Sequence, residues 1–520
     1  MPVVHFNDWS KGDWGDMDRR TAGKEPGYFE GLNVKVYSDG LIGPRPGLKK
    51  VASDGWTTNG VVRGLFFTAS TGEELVMTVE GQTRAKRGVV TTSTDNLDTI
   101  VWSDSTGTAF TAAPTDWTTF DRYDPTTIYI GNPDDGVYEL VVTGAIPMTK
   151  ITLPATSGQG YIIRLWRDRL YMASHDNDSV KQRIWYSDAG AFTTVGVSNY
   201  FDVGYWWPIW SMTPIRNGLL IGTQGAGWWV LTGSPATGTL RQVYTRGEPD
   251  RQPSLVVDDM ERCWYLPQNE RPLAVTNGST WDFDTHEHLF LPGTVHHGDY
   301  SYGNRDVMFL TTDGSDKALS MHNDVWVKST FSVNLSGPLT RYSADYFLLV
   351  GGDSAGTAAD FYWYDCSLER PGFASDDNAQ PGDNSTTPLT ATINTPEFIE
   401  PSGSMIRVRS VTFDFVKYDT GSSSPATNNI TCTVRSTGIY QTAGDIDSTA
   451  ISWTEAVGSA STTGTACRYT MEYHTPWAGG FQLRLSALRG VKIKDITIEY
   501  ELEHPKKALR PGAHNSSPLV

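Results

Sequence analysis

The chain has 520 residues, 42 basic against 59 acidic, for a formal net charge of −17 and a pI near 5.0. That balance argues against a surface that grips phosphate backbones through lysine and arginine, although nucleic acid could still pass nearby. Fifty-one glycines, abundant Thr, Ser, Trp and Tyr, and little 3.6-residue periodicity favour strands and turns over helices. No apolar run reaches the roughly 18 residues of a membrane span. The start, Met1 to Trp9, lacks the basic and apolar regions of an export signal. A soluble chain with no Sec-type address and no membrane-spanning segment is therefore expected. Cys263, Cys366, Cys432 and Cys467 form no C-x-x-C, so neither zinc nor a redox pair is indicated, and reduced thiols are expected.

Residues 1–50 are rich in Gly, Asp and Pro and read as an extended arm ending in a hairpin. Its turn is Ser38-Asp39-Gly40, and Arg45-Pro46-Gly47 forms a rigid exit. Residues 51–370 repeat one phrase about every 45 residues, a short apolar run followed by an aromatic one. The runs open near Leu75, Ile128, Leu170, Leu219, Cys263, Val307 and Tyr346, at intervals of 53, 42, 49, 44, 44 and 39. A period of roughly 40 to 50 residues built from short strands is the signature of a β-propeller blade, and about seven irregular blades are expected.

Apolar segments such as Thr127 to Gly131 and Gly218 to Gly222 read as inner strands covered on both faces. The aromatic runs, such as Trp228 to Leu231 and Phe361 to Tyr364, read as wedge packing between blades rather than a ligand-stacking platform. Residues 28–48 are candidates for a strand closing the last blade, which leaves the blade count open by one.

Residues 371–388 lack any apolar period and form a linker or exposed loop. Residues 389–504 alternate apolar and polar positions cleanly, as in Arg407 to Val416 and Val491 to Leu502, and predict a β-sandwich-like domain. Residues 505–520 read as an extended C-terminal tail. The expected fold class is thus all-β, a propeller followed by a sandwich, with extended arms at both ends.

Candidate chemistry is sparse. No nucleophile elbow, zincin motif or phosphate loop occurs. His286 and His288, with His296 and His297 nearby, are the densest ligand-like cluster. Two imidazoles on one strand face could meet a metal, but no third ligand has a diagnostic spacing, and a solvated blade loop is the plainer reading. His175 to Asp178 and Asp313 to Asp316 resemble fragments of calcium loops without the completing glycine and glutamate, and read as turns. Ser103 to Gly107 and Ser187 to Gly190 are similar to the Asp-box turn of sialidase-like propellers, a structural element. Arg84, Lys86 and Arg87 form a compact basic cluster without an aromatic platform and read as a solvated strand face. No catalytic, cofactor-binding or metal-ligating residue is assigned.

The N-terminal stretch, Asn33, then Asp39-Gly40, then Arg45-Pro46-Gly47, resembles the opening of the tail tubular protein B type of virion protein, which forms the distal tail tube or nozzle of short-tailed bacteriophages. The closing strand Lys492 to Glu501 is also similar to the last strand of such proteins. The resemblance implies a non-enzymatic structural protein of the phage tail, made in the host cytoplasm. It implies a homo-oligomer, a hexameric ring beneath the portal and adaptor that carries fibres or spikes. DNA would pass transiently through the lumen without sequence-specific binding, and a charge of −17 suits a weakly repulsive wall. Two alternatives stand beside it: a glycan-binding or glycan-hydrolysing propeller, and a tail hub or baseplate component of a long-tailed phage.

Overall fold

The computed structural model describes residues 1–13, 27–51, 60–68, 74–93, 96–154, 158–174, 180–204, 206–225, 227–244, 255–265, 273–276, 280–282, 295–301, 305–311, 317–322, 325–331, 333, 335–342, 345–352, 359–368, 391–418, 427–437, 444–454 and 464–503. These residues contain strands and turns and no helix. The expected linker 371–388 and the tail 505–520 lie outside them.

Seven antiparallel blades follow one another along the chain. The first is built from Val62–Thr68, Glu74–Val79, Lys86–Ser93 and Asn96–Asp104, and the pattern recurs to Leu335–Tyr342, Tyr346–Gly352 and Ala359–Asp365 of the seventh. The fourth strand of that last blade is Leu48–Lys50, which pairs with Ala359–Asp365 from more than 300 residues away in sequence. The N-terminal region therefore completes the ring.

The reason for the repeat is visible in the core. Seven apolar clusters each lie between two successive blades, and one of them joins the seventh to the first. Alternate side chains of one strand serve different interfaces: Leu75 and Met77 pack toward blade seven, whereas Val76 packs toward blade two. A strand used on both faces is mostly apolar, and Glu74–Val79 and Gly218–Thr223 are buried at every position. These mostly apolar strands, expected as inner strands covered on both faces, are the second strand of each blade. The first strands face the bore on one side and are only partly buried, as in Thr119–Asp124. Trp185, Trp228, Trp326 and Trp363 are fully buried and fill the wedges that widen away from the axis.

The second body is a sandwich. One sheet runs Val34–Val36, Ile42–Pro44, Val491–Leu502, Ile406–Lys417, Thr465–Glu472, with Val3–Phe6 also paired to Val491–Leu502. The other contains Ala391–Asn394, Phe398–Ile399, Gly480–Leu488, Thr427–Thr437 and Gly444–Thr454. Val411, Phe413, Ile496 and Ile498 of the first meet Ile430, Cys432, Leu483 and Leu485 of the second in one core. All four cysteines are free thiols, and Cys432 and Cys467 belong to opposite sheets.

Residues 1–50, expected as an arm with a hairpin, contribute strands to both bodies. The hairpin is present: Val34–Val36 pairs with Ile42–Pro44, and Gly40 takes the positive φ of 77° that its turn requires. Its edge is not left open, because Ile42 pairs with Ile493 of the sandwich. Strand Tyr28–Leu32 pairs with Ala391–Asn394 on one side and touches blade six at Leu32 and Lys328 on the other. Blade six and one sandwich sheet thereby form a continuous 11-stranded sheet.

Candidate functional site

The junction between the two bodies and the bore of the propeller each bring polar side chains together. The N-terminal motif lies at the junction. Asn33 adopts φ 60°, a left-handed conformation that asparagine tolerates better than most residues. There its Oδ1 accepts the Thr330 amide at 2.9 Å and its Nδ2 donates to the Thr330 hydroxyl at 3.3 Å, both at the end of blade six. The Asn33 carbonyl accepts the amide of Arg45.

Arg45 is fully buried. Its guanidinium donates to the carbonyls of Pro46 (2.7 Å) and Thr330 (2.9 Å) and lies 4.3 Å from the centre of the Phe331 ring. Pro46 and Gly47 are buried and lead directly into Leu48–Lys50 of blade seven. Asp39, in the hairpin turn, receives a 3.0 Å ion pair from the buried Lys492, whose ammonium also sits 4.1 Å over the Tyr37 ring. Lys35 on the hairpin is buried as well and donates to the Cys366 carbonyl at 2.6 Å, beyond the third strand of blade seven. The motif thus ties blade six, blade seven and the sandwich to one another. A buried guanidinium whose donors meet carbonyls and an aromatic face is built for rigidity rather than for turnover.

The bore is a cavity of about 410 Å³ lined by residues of all seven first strands. Asp121 of blade two spans the gap to blade three: its carboxylate accepts the Leu165 amide at 2.7 Å and the Arg122 amide at 2.7 Å. Asp299 of blade six repeats the arrangement toward blade seven, accepting the amides of Arg341 (2.7 Å) and Tyr300 (2.8 Å). Each aspartate thus has an arginine one unit further on, Arg164 and Arg341. Burial pushes both carboxyls above their ordinary range, against the pull of those arginines and of the amides. Burial also pulls the Arg164 guanidinium down, although Asp121 supports its charge. His297 lines the same bore, nearly fully buried, edge-on to Trp117 at 4.5 Å.

The other sequence candidates are dispersed. His286, His288, His175 to Asp178 and Asp313 to Asp316 lie outside the described residues, as does the side chain of His296. Among the described residues no group of three His, Cys, Asp or Glu is placed to hold a metal ion. Ser187 holds its hairpin together, its hydroxyl accepting the Leu170 amide at 2.9 Å, while Asp188 accepts from Asn199 at 2.7 Å. The basic cluster is neutralised locally: Lys86 pairs with Asp104, Arg87 with Glu74, and Arg84 donates to the Ser105 carbonyl.

Sequence reasoning missed the bore residues. Their signal was a charge pattern at the blade period, Asp121 to Arg164 and Asp299 to Arg341, 43 and 42 residues apart.

No protein-family model and no curated protein sequence matches the chain. Among solved structures it is similar to BamB from Moraxella catarrhalis, at 10% identity and a TM-score of 0.38, over 64% of this chain and 93% of that one. It is also similar to YCF48 bound to a D1 peptide, at 12% identity and a TM-score of 0.39, over 62% of this chain and 99% of that one. No helix among the described residues is long and apolar enough to cross a membrane.

Proposed function

We propose that this chain is a structural, non-enzymatic subunit of a bacteriophage tail, of the nozzle type that its N-terminal motif resembles. One observation carries the reading: Asn33, Arg45, Pro46 and Gly47 lie where the sandwich hairpin meets blades six and seven, and Asp39 anchors that hairpin to the sandwich through Lys492. The resemblance therefore falls on the connection between the two bodies, and subunits with fixed side faces are what closed rings are assembled from. In this proposal six copies form a ring that docks on the portal and adaptor, bears fibres or spikes, and resides in the virion. The propeller bore, at about 410 Å³, is too small for duplex DNA, so the DNA path would be the lumen between subunits. Electron microscopy of the purified protein and of particles is the test. Hexameric rings seated below a portal are the expected result; a dispersed monomer that is absent from virions would remove the proposal.

A second reading, a glycan-binding propeller, has one observation in its favour. Trp206 and Trp207, 72% and 45% exposed, stand side by side on the connection from blade three to blade four, and Trp206 is held at φ 67°. Exposed aromatic faces in a strained loop suit sugar stacking. Retention on a glycan array that is lost in Trp206→Ala would favour this reading, and no retention would dispose of it.

A further inference from the structure

We infer that the propeller bore is a binding site for a compact oxyanion, a ligand carrying phosphate-like or carboxylate groups. The inference is independent of the tail assignment and concerns a cavity that assignment leaves unused.

The argument begins with charge. Three guanidiniums, Arg122, Arg164 and Arg341, line the bore against two carboxylates, Asp121 and Asp299, inside a chain of net charge −17. The wall of the cavity thus opposes the sign of the molecule around it. The carboxylates are also largely occupied. Both oxygens of Asp121 take backbone amides, and Asp299 takes two amides and lies 3.5 Å from the Thr340 hydroxyl. Lone pairs engaged in this way are withdrawn from the arginines, so the two aspartates organise the wall more than they neutralise it.

Two of the guanidiniums, Arg122 and Arg164, keep donors in reserve by contrast. Arg164 spends Nη1 on the carbonyls of Phe120 (2.8 Å) and Ile163 (3.3 Å), and its Nε and Nη2 have no acceptor among the described residues. The Arg122 side chain makes no hydrogen bond or ion pair with any described residue, although its charge reaches Asp121. The two belong to neighbouring blades, and Asp121, whose oxygens hold the amides of both Arg122 and Leu165, fixes the spacing of their strands. Arg164 feels Asp121 of blade two and also Asp299 of blade six, which places its charge within reach of both sides of the bore.

A surrounded guanidinium fork with unspent N–H groups is matched in shape and charge by an oxyanion, which accepts two parallel hydrogen bonds. Such a ligand would relieve the shortage of negative charge that burial imposes on Arg164. Room for about 410 Å³ admits a ligand with more than one oxyanion group, and the ring of seven strands would surround it on every side.

The test is calorimetric titration of the full chain with sulfate, and separately with citrate, at constant ionic strength maintained with chloride. Saturable one-site binding of either probe to the native protein is expected. Arg122→Gln and Arg164→Gln should each weaken it tenfold or more, while Arg468→Gln, at an exposed ion pair on the sandwich, leaves it unchanged. Binding of one probe alone supports the site and assigns its ligand to the tetrahedral or the carboxylate class. Arg164→Gln also removes a bond to the Phe120 carbonyl and can weaken the fold. Arg122→Gln removes none among the described residues, so its effect on affinity, read beside an unchanged melting temperature in probe-free buffer, decides the matter. No saturable binding of either probe, or binding that Arg122→Gln leaves intact, would overturn the inference.

Discussion

Asn33 offers the most direct trial of the junction, because two substitutions there separate two physical effects. Asn33→Gly keeps the backbone free to hold φ 60° but removes the side chain that accepts the Thr330 amide and donates to its hydroxyl. Leaving the Thr330 amide without its acceptor costs about 1 to 3 kcal/mol, and the longer 3.3 Å bond adds less, so a loss of about 2 kcal/mol is expected. Asn33→Ala loses the same bonds and must also force a Cβ into the left-handed region, at a further cost of about 1 kcal/mol. Urea unfolding followed by tryptophan fluorescence, with calorimetry alongside, provides the readout. Because Asn33 links blade six to the hairpin of the sandwich, both variants should lower the unfolding of both bodies rather than split off one early transition. Equal stability of the Gly and Ala variants would refute the strain argument. A Gly variant within about 0.5 kcal/mol of the native chain would refute the role of the two bonds.

Three further outcomes are expected. Leu48→Ala, in the strand that closes blade seven, should cost about 2 to 4 kcal/mol, because Leu48 is fully buried in the cluster between blades six and seven; denaturant unfolding measures it. Gly131→Ala should destabilise by about 3 kcal/mol or more in the same assay, since its Cβ would fall 1.8 Å from the Tyr161 carbonyl where blades two and three meet. Asp135 is an acid-sensitive group of blade two. Despite burial, Lys150, the Tyr138 hydroxyl and the Thr111 amide hold its carboxyl below the usual range. A depressed folded value means that its stabilisation is full above about pH 4, the unfolded value, and fades as pH falls through the folded one. Melting temperatures of Asp135→Asn should therefore lie below native at pH 7 and converge with it in acid. Asp121 and Asp299 have the opposite sign, their raised carboxyls favouring the fold more as pH falls through their range.

The propeller was legible because its second strands are buried on both faces. All seven run openings, from Leu75 to Tyr346, fall on the second strand of a blade, where the series is mostly apolar. First strands were harder to see, since facing the bore admits residues such as Asp121 and Arg122. The long sandwich strands alternate visibly, as Ile406–Lys417 does. Val3–Phe6 and Val34–Val36 are short, and their placement depends on a partner strand at 491–502, so local pattern could not assign them. Within the stretch Asn33 to Gly47 the hairpin turn and the Pro-Gly exit are legible from residue type, whereas Asn33 and Arg45 carry no local signal beyond the resemblance. The physical content of those two, a left-handed Asn and a buried Arg serving a single carbonyl-rich corner, needed the three-dimensional neighbours Thr330 and Phe331.

Leu48–Lys50 waits for Ala359–Asp365, and Val3–Phe6 waits for Val491–Leu502. On a ribosome that adds about 5 to 20 residues per second, the first fifty residues of this chain emerge long before either partner exists. Leu48–Lys50 must stay without its partner while six blades form behind it, and Val3–Phe6 must wait longer still, for Val491–Leu502. A nascent chain stalled before residue 359 consequently carries an open edge at the ring, and one stalled between there and residue 491 has the partner that closes the ring but still lacks the sandwich partner of Val3–Phe6.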